Sequence, residues 1–202
     1  MKKLLVVALI VFAASWAFAD TAQLTVTGFP TGLAGPYAID VTPLTPIAGD
    51  PTSTLLVCWS DQNFVNIGDS WTANVYTVAN LPISSGSFPE TLVQYEQIAY
   101  LAAELLATPG DLNLQQAVWY AAGLFGGQSL TGQALIDYND AVANATIASL
   151  NGAVFYIPVD SNPNDSSKPQ PFVGFVPEPG SLLLLGTGIL GAAGSIRRRF
   201  MV

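Results

Sequence analysis

The sequence contains no histidine, a single cysteine (Cys58) and, between residues 20 and 179, a single cation, Lys168. Each scarcity removes chemistry. Without histidine the commonest general base and the commonest metal ligand are lost together, which excludes hydrolase triads built on that residue. One cysteine cannot build a thiolate zinc site, since structural sites need four nitrogen or sulfur ligands. No metal and no cofactor is expected. The other five basic residues, Lys2, Lys3, Arg197, Arg198 and Arg199, sit at the two ends, whereas all fourteen acids lie between them. The body thus carries a net charge of −13. Nucleic-acid binding is excluded on that ground, because counterion release needs clustered Lys and Arg. No internal period of about 20 to 50 residues recurs, which argues against a solenoid or propeller. No array of threonines repeats that could form a flat ice-binding face.

The two basic ends read as targeting segments. Lys2 and Lys3 precede the apolar run Leu4 to Ala14, and Ala17-Phe18-Ala19 supplies an A-x-A cleavage signature. Residues 1–19 are therefore expected to be a signal peptide, removed by signal peptidase. At the other end Pro177-Glu178-Pro179 is followed by an uncharged run from Gly180 to Ile196 and then by Arg197, Arg198 and Arg199. A helix over 181–196 rises about 24 Å at 1.5 Å per residue, against a hydrocarbon core of roughly 30 Å. It just spans if the arginine stems snorkel to the cytoplasmic side. This tail resembles the PEP-CTERM sorting signal of bacterial exosortase substrates, also called the ice-binding protein C-terminal domain. The resemblance implies cutting by a membrane exosortase near Pro177-Glu178-Pro179. It places the body in the cell envelope or outside the cell, anchored only transiently by the tail helix.

Between the targeting ends, residues 20–158 suffice for one domain. Leu24 to Thr27 and Tyr37 to Val41 alternate in strand fashion between Gly and Pro residues, as a first hairpin does. Thr54 to Trp59 is a short apolar run fit for a strand buried on both faces, and Trp71 to Val78 alternates. After Pro89 the period changes. Leu92, Tyr95, Ala99, Ala102 and Leu106 fall at helical spacing up to Pro109-Gly110. Asp111 then stands as the N-cap of a second helix running through Trp119, and a third is expected over 130–150. Ala153 to Ile157 and Phe172 to Val176 are strand-like, the latter either a strand or only an extended lead into the tail. The expected fold is α+β, a mainly-β front half packed on three helices, with a signal peptide before it and a transmembrane sorting helix after it. A polar, proline-rich linker is expected over 159–175, and the sorting signal over 176–200. Asp160, Asn162 and Asn164 have the spacing of a calcium loop. Its sixth position is Asp165 rather than glycine and its twelfth Pro171 rather than glutamate, so a solvated turn is expected.

Cys58 lies between Val57 and Trp59, and Leu114-Gln115-Gln116-Ala117-Val118-Trp119 places a glutamine four residues before a tryptophan in the first turns of a helix. Together these pieces resemble bacterial surface thioester domains, in which a cysteine and the glutamine of a TQxA-Φ-W motif join through an internal thioester. The resemblance implies Cys58 and Gln115 as the partners. Leu114 stands where that motif has threonine, and Gln116 remains a second candidate. The plainer reading is a buried core cysteine and a solvated glutamine.

The chain is thus expected to be no enzyme, but an exported surface or extracellular-matrix protein sorted by an exosortase. The alternatives are a covalent adhesin reacting with surface amines, and a secreted carbohydrate-active enzyme using paired carboxylates. Extracellular polysaccharide is the other candidate partner. If the tail is processed as its residues imply, protein recovered from outside the cell ends near Glu178. High yields of peptides covering 182–194 in a mass-spectrometric digest would contradict this.

Overall fold

A computed structural model describes residues 21–32, 35–45, 52–83, 89, 91–160 and 167–175. Strands β1 (Thr21–Gly28), β2 (Tyr37–Thr45), β3 (Thr52–Cys58) and β4 (Ser70–Tyr76) precede three α-helices, α1 (Leu92–Ala107), α2 (Leu112–Ala121) and α3 (Gly132–Asn144). A short 3-10 turn (Ile147–Leu150) and strands β5 (Ala153–Pro158) and β6 (Phe172–Phe175) follow. The strands close into a barrel in the order β1-β2-β3-β6-β5-β4, every neighbouring pair antiparallel.

Alternation in the sequence decides which side chains enter the barrel. On β1, Ala22, Leu24 and Val26 are buried while Gln23 and Thr25 are half-exposed; β4 repeats the pattern with Trp71, Ala73 and Val75. With Ile39, Leu56, Cys58, Tyr156 and Phe172 they fill the interior as one cluster, in which Trp71 stacks on Phe172 at 5.9 Å between ring centroids. The outward residues Val57, Ala153, Phe155 and Val173 form a second cluster with the helices. Helix α1 begins with a capping box, Thr91 with Gln94, and buries Tyr95, Ile98, Leu101 and Leu105 against that face. Each such side chain contributes about 1.5–3 kcal/mol of apolar burial.

This architecture corrects the expected one. The sheet is not confined to the front half, because β5 and β6 from the end of the domain close it between β3 and β4. The α+β picture of a front sheet packed on helices therefore gives way to a closed antiparallel barrel with helices against its outer face. Phe172–Phe175, expected within the linker and as a lead to the tail, is a barrel strand with Phe172, Val173 and Gly174 buried. Its residues are strand-like in the sequence, but four residues say nothing of the strands they pair with. The strand is held by pairing on both sides, through Val57↔Val173 and Phe155↔Val173. The third helix also ends earlier than expected, at Asn144, with the 3-10 turn completing the segment. Among the described residues no helix is long and apolar enough to cross a membrane. The expected transmembrane helix over 181–196 has no counterpart there, and it and the signal peptide at 1–19 lie outside the described residues. So do Asn162 and Asn164 of the calcium-like spacing, while Asp160 pairs with Lys168 at 3.1 Å.

Two substitutions test this packing. Val57 is fully buried in the cluster between barrel and helices, so Val57→Asp costs several kcal/mol or forces its carboxyl to remain protonated. The variant should fail to fold, and an unchanged melting temperature would remove Val57 from the core. On α1 and α3, the Tyr100 hydroxyl donates to Asp140 Oδ2 at 2.7 Å beside Glu104. The Glu104 carboxyl is raised by desolvation and then by the charge of Asp140. A raised carboxyl favours folding when protonated and opposes it once ionised. Glu104→Gln should therefore melt higher than the parent at neutral pH, and the gain should vanish in acid.

Candidate functional site: a cysteine and a glutamine at one end of the barrel

Cys58 is the last residue of β3, and its fully buried side chain faces the barrel interior, whereas Val57 and Trp59 on either side face the helices. The neighbouring helix is α2. Asp111 caps it, its Oδ1 accepting the backbone N–H groups of Asn113 at 2.8 Å and Leu114 at 3.3 Å. The residue before that cap is tied to the turn between β1 and β2, since Gly110 N–H donates to the Gly35 carbonyl at 3.1 Å. Thr31 Oγ1 donates to the same carbonyl at 2.9 Å.

These ties bring the first turn of α2 onto the end of β3. Gln115 is fully buried, and its Nε2 donates to the backbone carbonyl of Cys58 at 2.7 Å. Its Oε1 is buried with no hydrogen-bond partner. One turn further along the same helix face, Trp119 donates its indole N–H to Cys58 Sγ at 3.2 Å. The thiol in turn points towards the Ser60 carbonyl at 3.6 Å and the Tyr37 hydroxyl at 4.0 Å. The Ser60 carbonyl also accepts from buried Gln170 at 3.3 Å, and Gln170 Nε2 reaches the Asn63 carbonyl as well, which fixes the turn after β3.

Burial pushes the Cys58 thiol up to about 11, against the lowering effects of the Trp119, Ser60 and Tyr37 hydrogen bonds. Tyr37 is raised too, mainly by burial, so its hydroxyl stays protonated. At neutral pH the site holds a neutral thiol beside a neutral carboxamide, shielded from water. A thiol and a carboxamide are the two groups from which a thioester forms, and such a bond lasts only where water is kept away.

Both residues singled out in the sequence, Cys58 and Gln115, are brought together, and Gln116 is only half-buried on the next position of α2. Sequence reasoning missed Gly35, Tyr37, Ser60 and Gln170. They come from three separate loops or strand ends and share no local pattern; only the closure of the barrel assembles them.

The sorting residues Pro177, Glu178, Pro179, Arg197, Arg198 and Arg199, and the signal-cleavage residues Ala17 and Ala19, lie outside the described residues. The tail is decided by comparison instead, where residues 175–199 match the family model of the PEP-CTERM protein-sorting motif. The chain carries a PEP-CTERM sorting motif. The motif suggests an exosortase-targeted, exported protein associated with the cell envelope. The PEP-CTERM match begins at Phe175, the final residue of β6, so the motif follows the barrel directly rather than through the expected linker. Neither the curated proteins nor the solved structures gave a match to this chain.

The carboxamide leaves no room at Gly35. A Cβ added there would lie 2.6 Å from Gln115 Oε1. Gly35→Ala should therefore displace Gln115 and destabilise the domain by about 1–3 kcal/mol. Denaturant midpoints measure it, and a midpoint equal to the parent's would mean that Gln115 is not held against Gly35.

Proposed function

We propose that this exported protein is a non-catalytic surface adhesin whose domain holds an internal thioester between Cys58 and Gln115. It spends that bond once, on a primary amine of a surface or extracellular polymer. The observation that carries this reading is the burial of Gln115 against Cys58 with its Oε1 unpartnered. A glutamine serving only as a clamp would leave a buried acceptor unsatisfied at about 1–3 kcal/mol. A carboxamide placed to react has a different reason to be there. In forming the bond, Cys58 Sγ attacks Gln115 Cδ, the Cδ–Nε2 bond breaks, and the thiol proton leaves with the nitrogen as ammonia. An amine later attacks Cδ, the amide forms and Cys58 regains a thiol. Each domain reacts once, so no turnover is involved. The charge of −13 between the targeting ends draws cationic amines towards the domain. On this reading signal peptidase removes residues 1–19 and an exosortase processes the tail.

Intact mass is the decisive measurement. The mature protein should be lighter than its sequence by one ammonia, and methylamine should add across the bond. Cys58→Ala and Gln115→Ala should each abolish both effects while leaving the domain folded. Full sequence mass, with a thiol that titrates freely after denaturation, would end the thioester reading.

A further inference from the structure

We propose that the indole N–H of Trp119, with the Tyr37 hydroxyl as second donor, forms a thiolate hole that receives the charge of Cys58 sulfur when the acyl bond is opened. This rests on the thioester reading above and adds the group that sets its reactivity.

When an amine attacks Gln115 Cδ, the new C–N bond forms and the Cδ–Sγ bond breaks with its electron pair going to sulfur. The sulfur is then an anion until it takes up the proton shed by the amine. Its surroundings are the interior of an apolar barrel, Leu56 and Phe172 among them, where an unpaired charge is costly. The Ser60 carbonyl, which accepts from the thiol, can offer an anion nothing. The indole N–H is already aimed at the sulfur at 3.2 Å, and a hydrogen bond to an ion is roughly twice as strong as one between neutral groups. A donor fixed in advance where charge will develop needs no reorganisation when the bond breaks. Tyr37, at 4.0 Å, can turn its hydroxyl to the same atom.

The fold holds the indole there. Trp119 is set one helical turn beyond Gln115, and Leu124 N–H donates to its carbonyl at 3.0 Å. Gly123, Gly126 and Gly127 take positive φ of 76°, 50° and 71°, turning the chain back so that Phe125 stacks on the indole at 6.2 Å. The ring is therefore clamped between the barrel interior and Phe125. With no histidine in the chain, stabilising the departing sulfur does what a general acid would otherwise do.

The test uses Trp119→Phe, which keeps the ring and deletes the N–H, and Tyr37→Phe. In the mature protein, opening by methylamine, followed by intact mass, should slow on the order of tenfold for Trp119→Phe and less for Tyr37→Phe. In a Gln115→Ala background, where no acyl bond can form, Trp119→Phe should raise the pH at which the thiolate appears, read as the ultraviolet difference from a matched Cys58→Ala protein. A mass deficit that persists, with parental opening rate and unchanged thiol titration, overturns the thiolate hole and spares the thioester. If the parent has full mass, the thioester fails, and the hole as the determinant of its reactivity falls with it. Should Trp119→Phe not fold, indole nitrogen-15 NMR decides: the Trp119 N–H resonance must shift in Cys58→Ala, and an unmoved resonance rejects the contact.

Discussion

The pairing of β3 with β6 is the joint on which the rest depends. Two residue pairs make it, Val57↔Val173 and Cys58↔Phe172. Because strand side chains alternate, this register sends Val57 and Val173 to the helices and Cys58 and Phe172 into the barrel. A slip of one residue would reverse every assignment and turn the sulfur away from the interior. Gly174 guards the register on the other strand, since a Cβ there would fall 2.2 Å from Leu56 Cδ2. The same joint that closes the barrel thus decides that the thiol is dry.

How much of this could be read from the sequence follows from the range of each interaction. Helices were legible because their signals are local: apolar residues at helical spacing, Pro109-Gly110 as a stop and Asp111 as a cap. Gln115 was singled out through resemblance to the TQxA-Φ-W motif alone, and the structure places it and Trp119 one turn apart on one helix beside Cys58. The barrel was not legible. Its closure depends on β6, four residues long and more than a hundred residues from its partner β3, in a segment whose composition reads as linker. Gly35 and Tyr37 were silent for the same reason. Gly35 matters through one close approach to Gln115, and Tyr37 through its position at the mouth of the barrel, neither of which leaves a motif.

The sorting tail and the domain are coupled by this topology. β6, the last strand among the described residues, closes the barrel between β3 and β5, and the PEP-CTERM match begins at its final residue, Phe175. Processing beyond residue 175 leaves that strand whole. A cut within Phe172–Phe175 would remove the pairing partner of Cys58 and, with it, the wall that keeps water from the sulfur.

Composition then explains why the site is built from burial and neutral donors. A chain without histidine has no imidazole to take the thiol proton, and its acids are poor substitutes near a sulfur that they repel once ionised; Asp61, three residues beyond Cys58, already acts to raise the thiol. What the site does hold is a neutral thiol and a neutral carboxamide, both buried, with Gln115 tied to the Cys58 backbone carbonyl. Desolvation keeps the thiol neutral and has a cost on the proposed thioester reading, since the same dryness penalises the thiolate that opening the bond would create. The indole N–H at 3.2 Å is the donor that would offset that cost on the same reading. Its presence on the face of α2 that carries Gln115 means that, on the proposed reading, the helix supplying the acyl group would also supply the donor for its leaving group.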